Sequence, residues 1–158
     1  MGRIEKQKII LDNNIVNYLR NDDDFDVLFS KLETTDYYVS ASVIDEFNNI
    51  SDEERDKRYL CFFRLLKLSP IPVEESVMVW GISRFGTSRS SPGIVYTKIK
   101  EAMDQRKHKK NNPNDAILAD TAVSNELVLL TNDRVLFDTM TYCGYKAVFW
   151  GSFKKGCQ

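Results

Sequence analysis

Histidine and cysteine are scarce in this chain, with one and three residues among 158. Cys61, Cys143 and Cys157 are odd in number and lack metal-ligand spacing, which argues against a thiolate zinc site. They read as reduced thiols and predict a cytoplasmic protein. The single histidine, His108, sits in a run of lysines and reads as a solvated side chain rather than a catalytic one. Long apolar runs are missing too. Runs such as Leu127–Leu130 are far too short to span a bilayer, and the opening MGRIEKQKII lacks the apolar stretch of a secretory signal. No glycine-rich phosphate loop with a following Lys-Ser/Thr occurs. Around Ser83, GISRFG places its second glycine one residue too late for a nucleophile elbow. What remains is 42% hydrophobic and 28% charged, the balance of a globular protein. The length predicts a single domain over residues 1–158.

A net charge of −1 hides an uneven distribution. From Arg84 to Lys110 there are eight Lys or Arg against two acids, while Asn21–Asp56 holds twelve acids and two bases. The basic segment reads either as a phosphate-facing patch or as a solvated helix face around Lys98–Lys110.

Strand-like and helix-like segments alternate along the chain. Lys8–Leu11, Tyr37–Ala41, Leu127–Thr131 and Lys146–Trp150 read as strands. Leu68–Val73 carries two prolines and reads as an edge segment or connector. Helical patterns begin at Ile15–Leu19 and recur at Ser42–Ile50, Ser51–Lys67, Glu74–Ile82, Ile94–Gln105, Asn114–Ser124 and Arg134–Cys143. Gly86–Gly93 reads as a loop. This alternation predicts an α/β fold of three layers, α/β/α, around a central, mostly parallel sheet of about five strands.

Ligands of such sheets bind at the carboxyl ends of the strands. Asp12 follows the first strand, and Asp133 follows Thr131 and Asn132 at the end of LVLLT. Helical phase adds two acids. Glu46 falls about 90° from the apolar stripe of its helix, whereas Asp45 falls about 170° away and is expected to face solvent. Asp115 lies near the centre of the stripe formed by Leu118, Ala119, Ala122 and Val123, and Asp120 is expected to be exposed. Each acid also has a local explanation. Asn112-Pro113 resembles a helix start with Asp115 in its first turn, Asp133 suits an N-cap, Asp12 a turn, and Glu46 a helix border. Taken together they converge on one sheet edge. Clustered carboxylates raise one another's pKa unless a cation balances them, and oxygen donors suit Mg²⁺ or Mn²⁺.

The segments IILDNNIVNYL, SASVIDEFNNI and NDAILADTAVSNELVLLTNDRVLF resemble the three motifs of PIN-domain ribonucleases. Order, spacing and length look most like the VapC-like toxins of toxin–antitoxin pairs. The resemblance covers roughly the first third and last quarter of the chain. It implies that Asp12, Glu46, Asp115 and Asp133 form an acidic tetrad holding Mg²⁺ or Mn²⁺, supported by Asn14, Thr131 and Asn132. It further implies hydrolysis of RNA to 5′-phosphate and 3′-hydroxyl ends, an antitoxin partner and a homodimer. Arg106, Lys107, Lys109, Lys110 and Arg134 are the expected phosphate contacts, with Tyr18 and Tyr96 also expected nearby. Two other readings share the scaffold. One is a PIN-like module that binds RNA or protein without cutting. The other is a phosphoacceptor receiver domain, from which Asp12-Asn13-Asn14 departs because an adjacent acidic pair is missing.

Overall fold

The computed structural model describes residues 5–48, 51–76, 79, 92–106 and 109–156, with the side chains of 46–48 left out. Five strands form one sheet in the order β3-β2-β1-β4-β5, every neighbouring pair parallel. These are β1 Gln7–Leu11, β2 Thr35–Ser40, β3 Ile71–Val73, β4 Val128–Thr131 and β5 Ala147–Phe149. The expected mostly parallel sheet is thus parallel throughout. The proline-bearing segment is a true strand, with Pro72 tolerated because β3 lies at the sheet edge.

Alternation along the strands divides the interior into two cores. Ile9 and Leu11 of β1 and Leu130 of β4 face one way. They pack with α1 (Asn13–Tyr18), α2 (Asp22–Phe29), α3 (Ala41–Asn48), α4 (Arg55–Lys67) and α8 (Trp150–Lys155). Ile10 and Leu129 face the other way, against α5 (Ile94–Arg106), α6 (Asn112–Ser124) and α7 (Arg134–Tyr142). Because both faces of the sheet are covered, the central strands read as continuous apolar runs rather than as alternating ones.

Two helices went unanticipated. Asn21 caps α2 by accepting a hydrogen bond from the Asp24 backbone N–H at 3.2 Å, and Asp22, Asp23 and Asp24 occupy the positive end of the helix dipole. The last strand stops at Phe149, and Trp150 opens α8 with its ring buried. The expected helix from Glu74 is corrected as well: Glu74–Ser76 is not helical, and Val77, Met78 and Trp80–Ile82 lie outside the described residues. Of the expected loop Gly86–Gly93, only Pro92 and Gly93 are described. Among the described residues, no helix is long and apolar enough to cross a membrane.

The chain passes outward from β1 to β2 and β3, then returns to add β4 on the other side of β1. The carboxyl ends of β1 and β4 therefore form a topological switch point, the cleft where open α/β sheets bind ligands.

Candidate active site

Strand register fixes the centre of this cleft. Leu11 pairs with Leu130, so Asp12 and Thr131 leave their strands side by side, and the Asp12 N–H donates to Leu130 O at 3.0 Å. Thr131 Oγ1 donates to Asp12 Oδ2 at 2.6 Å, and Asn14 Nδ2 donates to the same oxygen at 3.0 Å. Asn14 Oδ1 in turn accepts the Asn132 N–H at 3.2 Å, while Asn132 Nδ2 donates to the Tyr18 hydroxyl at 2.6 Å. Asn14, Thr131, Asn132 and Tyr18 thus lock the two strand ends together.

Asp133 caps α7. Its Oδ1 accepts the N–H groups of Val135 at 2.8 Å and Leu136 at 3.1 Å, as an N-cap acid should. Its Oδ2 lies 3.3 Å from Lys109 Nζ. The local explanation and the site placement hold at once, with one oxygen serving each. Asp115 stands in the first turn of α6, which begins at Asn112 with Asn111 as N-cap, one residue earlier than the motif suggests.

These three acids line one open pocket of about 490 Å³. Ser40 at the end of β2, Ser42 at the start of α3, Glu75 beyond β3, and Lys109 complete much of its polar wall. Burial is the main reason that the Asp115 carboxyl is pushed up to about 7 from its ordinary 3.8. The charges of Asp12 and Asp133 add to that rise, and Lys109 opposes it. Asp12 is also raised, first by burial and then by Asp133, against the lowering effect of the Thr131 hydroxyl. Acids from β1, α6 and β4 therefore share one electrostatic environment.

The donor set fits a hard divalent cation: oxygens only, partly buried and mutually repulsive. Among the described residues, no three acid, Cys or His side chains already converge as a ligand group. The cationic group seated among these acids is the Lys109 ammonium.

The remaining expected residues divide. The Glu46 backbone belongs to α3, which starts directly after β2, and its side chain lies outside the described residues. Asp45 is half-buried rather than open to solvent. Arg106 rests on the Tyr142 ring at 5.5 Å, on the last turn of the helix whose first turn Asp133 caps. Arg134 lies 3.9 Å above the Phe149 ring, next to Asp133 in sequence. Lys110 is exposed, and Lys107 and His108 lie outside the described residues.

Asp120 is corrected outright, being 2% exposed. It accepts hydrogen bonds from the Ser76 hydroxyl, from the Tyr96 N–H at 2.9 Å and from Ser124 Oγ at 3.3 Å. Helix α6 is covered on several sides, so one apolar stripe did not describe it. Glu75 went unnoticed because Glu74 reads as a helix start. The strand-end rule that found Asp12 would have found Glu75 once Ile71–Val73 counted as a strand.

The architecture can now be compared with known structures. The chain is similar to a chain in the crystal structure of VapBC2 from Rickettsia felis bound to a DNA fragment from their promoter. The TM-score is 0.57 at 17% identity, over 91% of this chain and 99% of that one. The fold is PIN-like. A second match is a domain of a functionally unknown protein from Methanocaldococcus jannaschii, with TM-score 0.53 and 18% identity over 90% of each chain. No protein-family model and no curated protein matches the sequence. The PIN-like likeness is one of fold, and the chemistry has to be argued from the pocket.

Proposed function

We propose that this chain is a metal-dependent endoribonuclease acting as the toxin of a toxin–antitoxin pair. The observation that carries the reading is the gathering of Asp12, Asp115 and Asp133 in one pocket at the sheet's switch point, where burial first, and then the charges of Asp12 and Asp133, push Asp115 up to about 7. Asp12, Asp115 and Asp133 would hold Mg²⁺ or Mn²⁺, with Glu46 completing the set. When bound, such an ion acidifies water and balances the charge that builds on the phosphate oxygens.

The chain's own groups prepare that pocket. Thr131 Oγ1 and Asn14 Nδ2 donate to Asp12 Oδ2 and hold the carboxylate in one orientation. Asp133 is fixed through Oδ1 by the α7 N-terminus and turns Oδ2 to the pocket side, where Lys109 sits. Lys109, Lys107, Lys110, Arg106 and Arg134 are the proposed contacts for backbone phosphates. Their charges gather RNA without reading its sequence. The likeness to a chain of VapBC2, bound there to a DNA fragment from their promoter, supports an antitoxin partner.

The direct test incubates the purified chain with end-labelled RNA in Mg²⁺, in Mn²⁺ and in EDTA. Cleavage is expected with either metal, with 5′-phosphate and 3′-hydroxyl ends, and it should vanish in EDTA and in Asp12→Asn. Equal cleavage by wild type and variant would mean a contaminating nuclease and would overturn the proposal.

One observation favours a second reading, a PIN-like module that binds RNA without cutting it. The acids do not converge as a ligand group among the described residues, and Lys109 already neutralises Asp133. RNA binding without cleavage at any metal concentration would select that reading.

A further inference from the structure

Phe149 ends β5 and pairs with Thr131, the residue whose hydroxyl bonds Asp12. Asp12, Thr131 and Phe149 therefore stand in a row across the carboxyl edge of three neighbouring strands. Two ordinary strand spacings put the Phe149 backbone about 10 Å from that of Asp12. Ala147 packs on the side of the sheet that α7 covers, so alternation sends Phe149 to that side too. Its ring meets Phe137 of α7, with centres 5.7 Å apart. Arg134 lies over both rings, 3.9 Å from the centre of Phe149 and 5.9 Å from that of Phe137. The shorter separation is that of a guanidinium stacked face to face on an aromatic ring.

Ion pairing does not explain this placement. Asp138 stands one turn further along α7, at the spacing of a helical ion pair, yet Arg134 does not bond it. Arg64 also lies over a ring, but it spends its donors on Leu19 O and Asp22. The Arg134 side chain donates to none of the described residues, and Arg134 is exposed. Phe149 thus backs one face of the guanidinium, and the donor edge stays unspent. Arg134 directly follows Asp133, so this cationic plane borders the acidic pocket. Lysine would serve a phosphate there equally well, but it has no plane to offer. Nucleobases stack on guanidinium and aromatic planes, and a plane already held by two rings loses little freedom when a base lands on it.

We propose that Arg134, backed by Phe149 and Phe137, stacks a nucleobase of the RNA beside the phosphate at the acidic pocket. This role goes beyond the phosphate contact assigned to its charge. It gives the chain a preference for an unpaired purine at that position, because purines offer the larger face. The inference rests on RNA being the ligand, as proposed above, and does not depend on cleavage.

Fluorescence anisotropy of the full chain carrying Asp12→Asn, which should leave RNA uncut, tests this in Mg²⁺. Three labelled oligomers of equal length and charge serve as probes: oligoadenylate, oligouridylate and an abasic sugar–phosphate chain. Affinity should fall in that order, by about threefold to tenfold at each step. Adding Arg134→Lys keeps the charge and removes the plane, with circular dichroism confirming the fold. Oligoadenylate should then bind about fivefold to thirtyfold more weakly, and the three probes should come within about twofold of one another. The salt dependence should stay as in the parent, whereas Lys110→Met should lower it by about one charge and keep the order of the probes. A parent that binds all three probes equally, or an Arg134→Lys variant that keeps the parent's order, would overturn the inference and leave RNA binding intact. A parent that binds none of the probes at low salt would overturn the RNA reading, and this inference with it.

Discussion

Lys109 Nζ lies 3.3 Å from Asp133 Oδ2, and its charge also opposes the upward shift of Asp115. One ammonium group therefore serves two of the three acids. The pocket carries an internal counter-ion on a flexible stem, and this ion pair is partly exposed. Such a pair is worth less than about 1 kcal/mol, so it neutralises the acids without closing the site.

Removing the counter-ion should have opposite effects on metal and on RNA. Lys109→Met leaves Asp133 unpaired, and Mn²⁺ should bind about twofold to fivefold more tightly by titration calorimetry. The same variant should bind RNA more weakly, with a salt dependence lower by about one charge. Unchanged Mn²⁺ affinity would show that Lys109 does not share the cation's place. If wild type binds no Mn²⁺ at all, the metal reading itself fails.

Asp115 predicts a stability trend with pH. Its carboxyl holds a proton up to about pH 7 in the folded chain, against 3.8 for an ordinary carboxyl. The folded state therefore binds the extra proton between those values. The stabilisation is complete below the lower value and is lost as pH rises through the upper one. Asp115→Asn removes the charge, so its Tm should exceed that of wild type by about 2–4 °C at pH 8, and by less at pH 4. Adding Mn²⁺ at pH 8 should raise the wild-type Tm and leave Asp12→Asn nearly unmoved. A Tm difference that is the same at both pH values would remove Asp115 from the coupled set.

Thr131 holds the strand ends in place. Its hydroxyl donates to Asp12 and accepts the Asp133 N–H, so Thr131→Val loses both bonds with little change of shape. Urea unfolding should show a loss of about 1–3 kcal/mol. Mn²⁺ affinity should drop by about tenfold or more, as it does when groups that orient metal ligands are removed. Loss of stability without loss of metal affinity would make Thr131 a structural residue only.

Much of this was legible in residue order alone. Asp12 and Asp133 stand at one sheet edge because a parallel sheet delivers the residues after its strands there, and KIIL and LVLLT read plainly as buried strands. Helical phase turns Asp115 inward, and the structure places it on the same pocket. The same device failed for Asp120, since α6 is covered on several sides and its small residues Ala119, Thr121 and Ala122 signal close neighbours rather than one stripe. Helix α2 escaped because its acids mask a short apolar pattern, although Asn21 followed by three aspartates is a helix-start signature. Lys109 was anticipated as a phosphate contact. Its pairing with Asp133 is a tertiary fact, set by the turn between α5 and α6, and no local pattern encodes it.

Asp120 yields the last prediction. Its buried carboxylate accepts from Ser76 just beyond β3 and from the Tyr96 N–H in the first turn of α5. It therefore holds α6 to the two segments on either side of residues 77–93. Glu75, which lines the acidic pocket, immediately precedes Ser76. Asp120→Ala strands a buried hydroxyl and a backbone donor, which should destabilise the fold by about 3 kcal/mol. Asp120→Asn keeps an acceptor for Tyr96 and should recover part of that loss. Because Ser76 then loosens, Asp120→Asn should also make residues 75–76 exchange their amide hydrogens faster, while exchange in the central strand β1 stays as in wild type. Faster exchange across β1 as well would mean general destabilisation, and Asp120 would then have no particular part in holding the pocket wall.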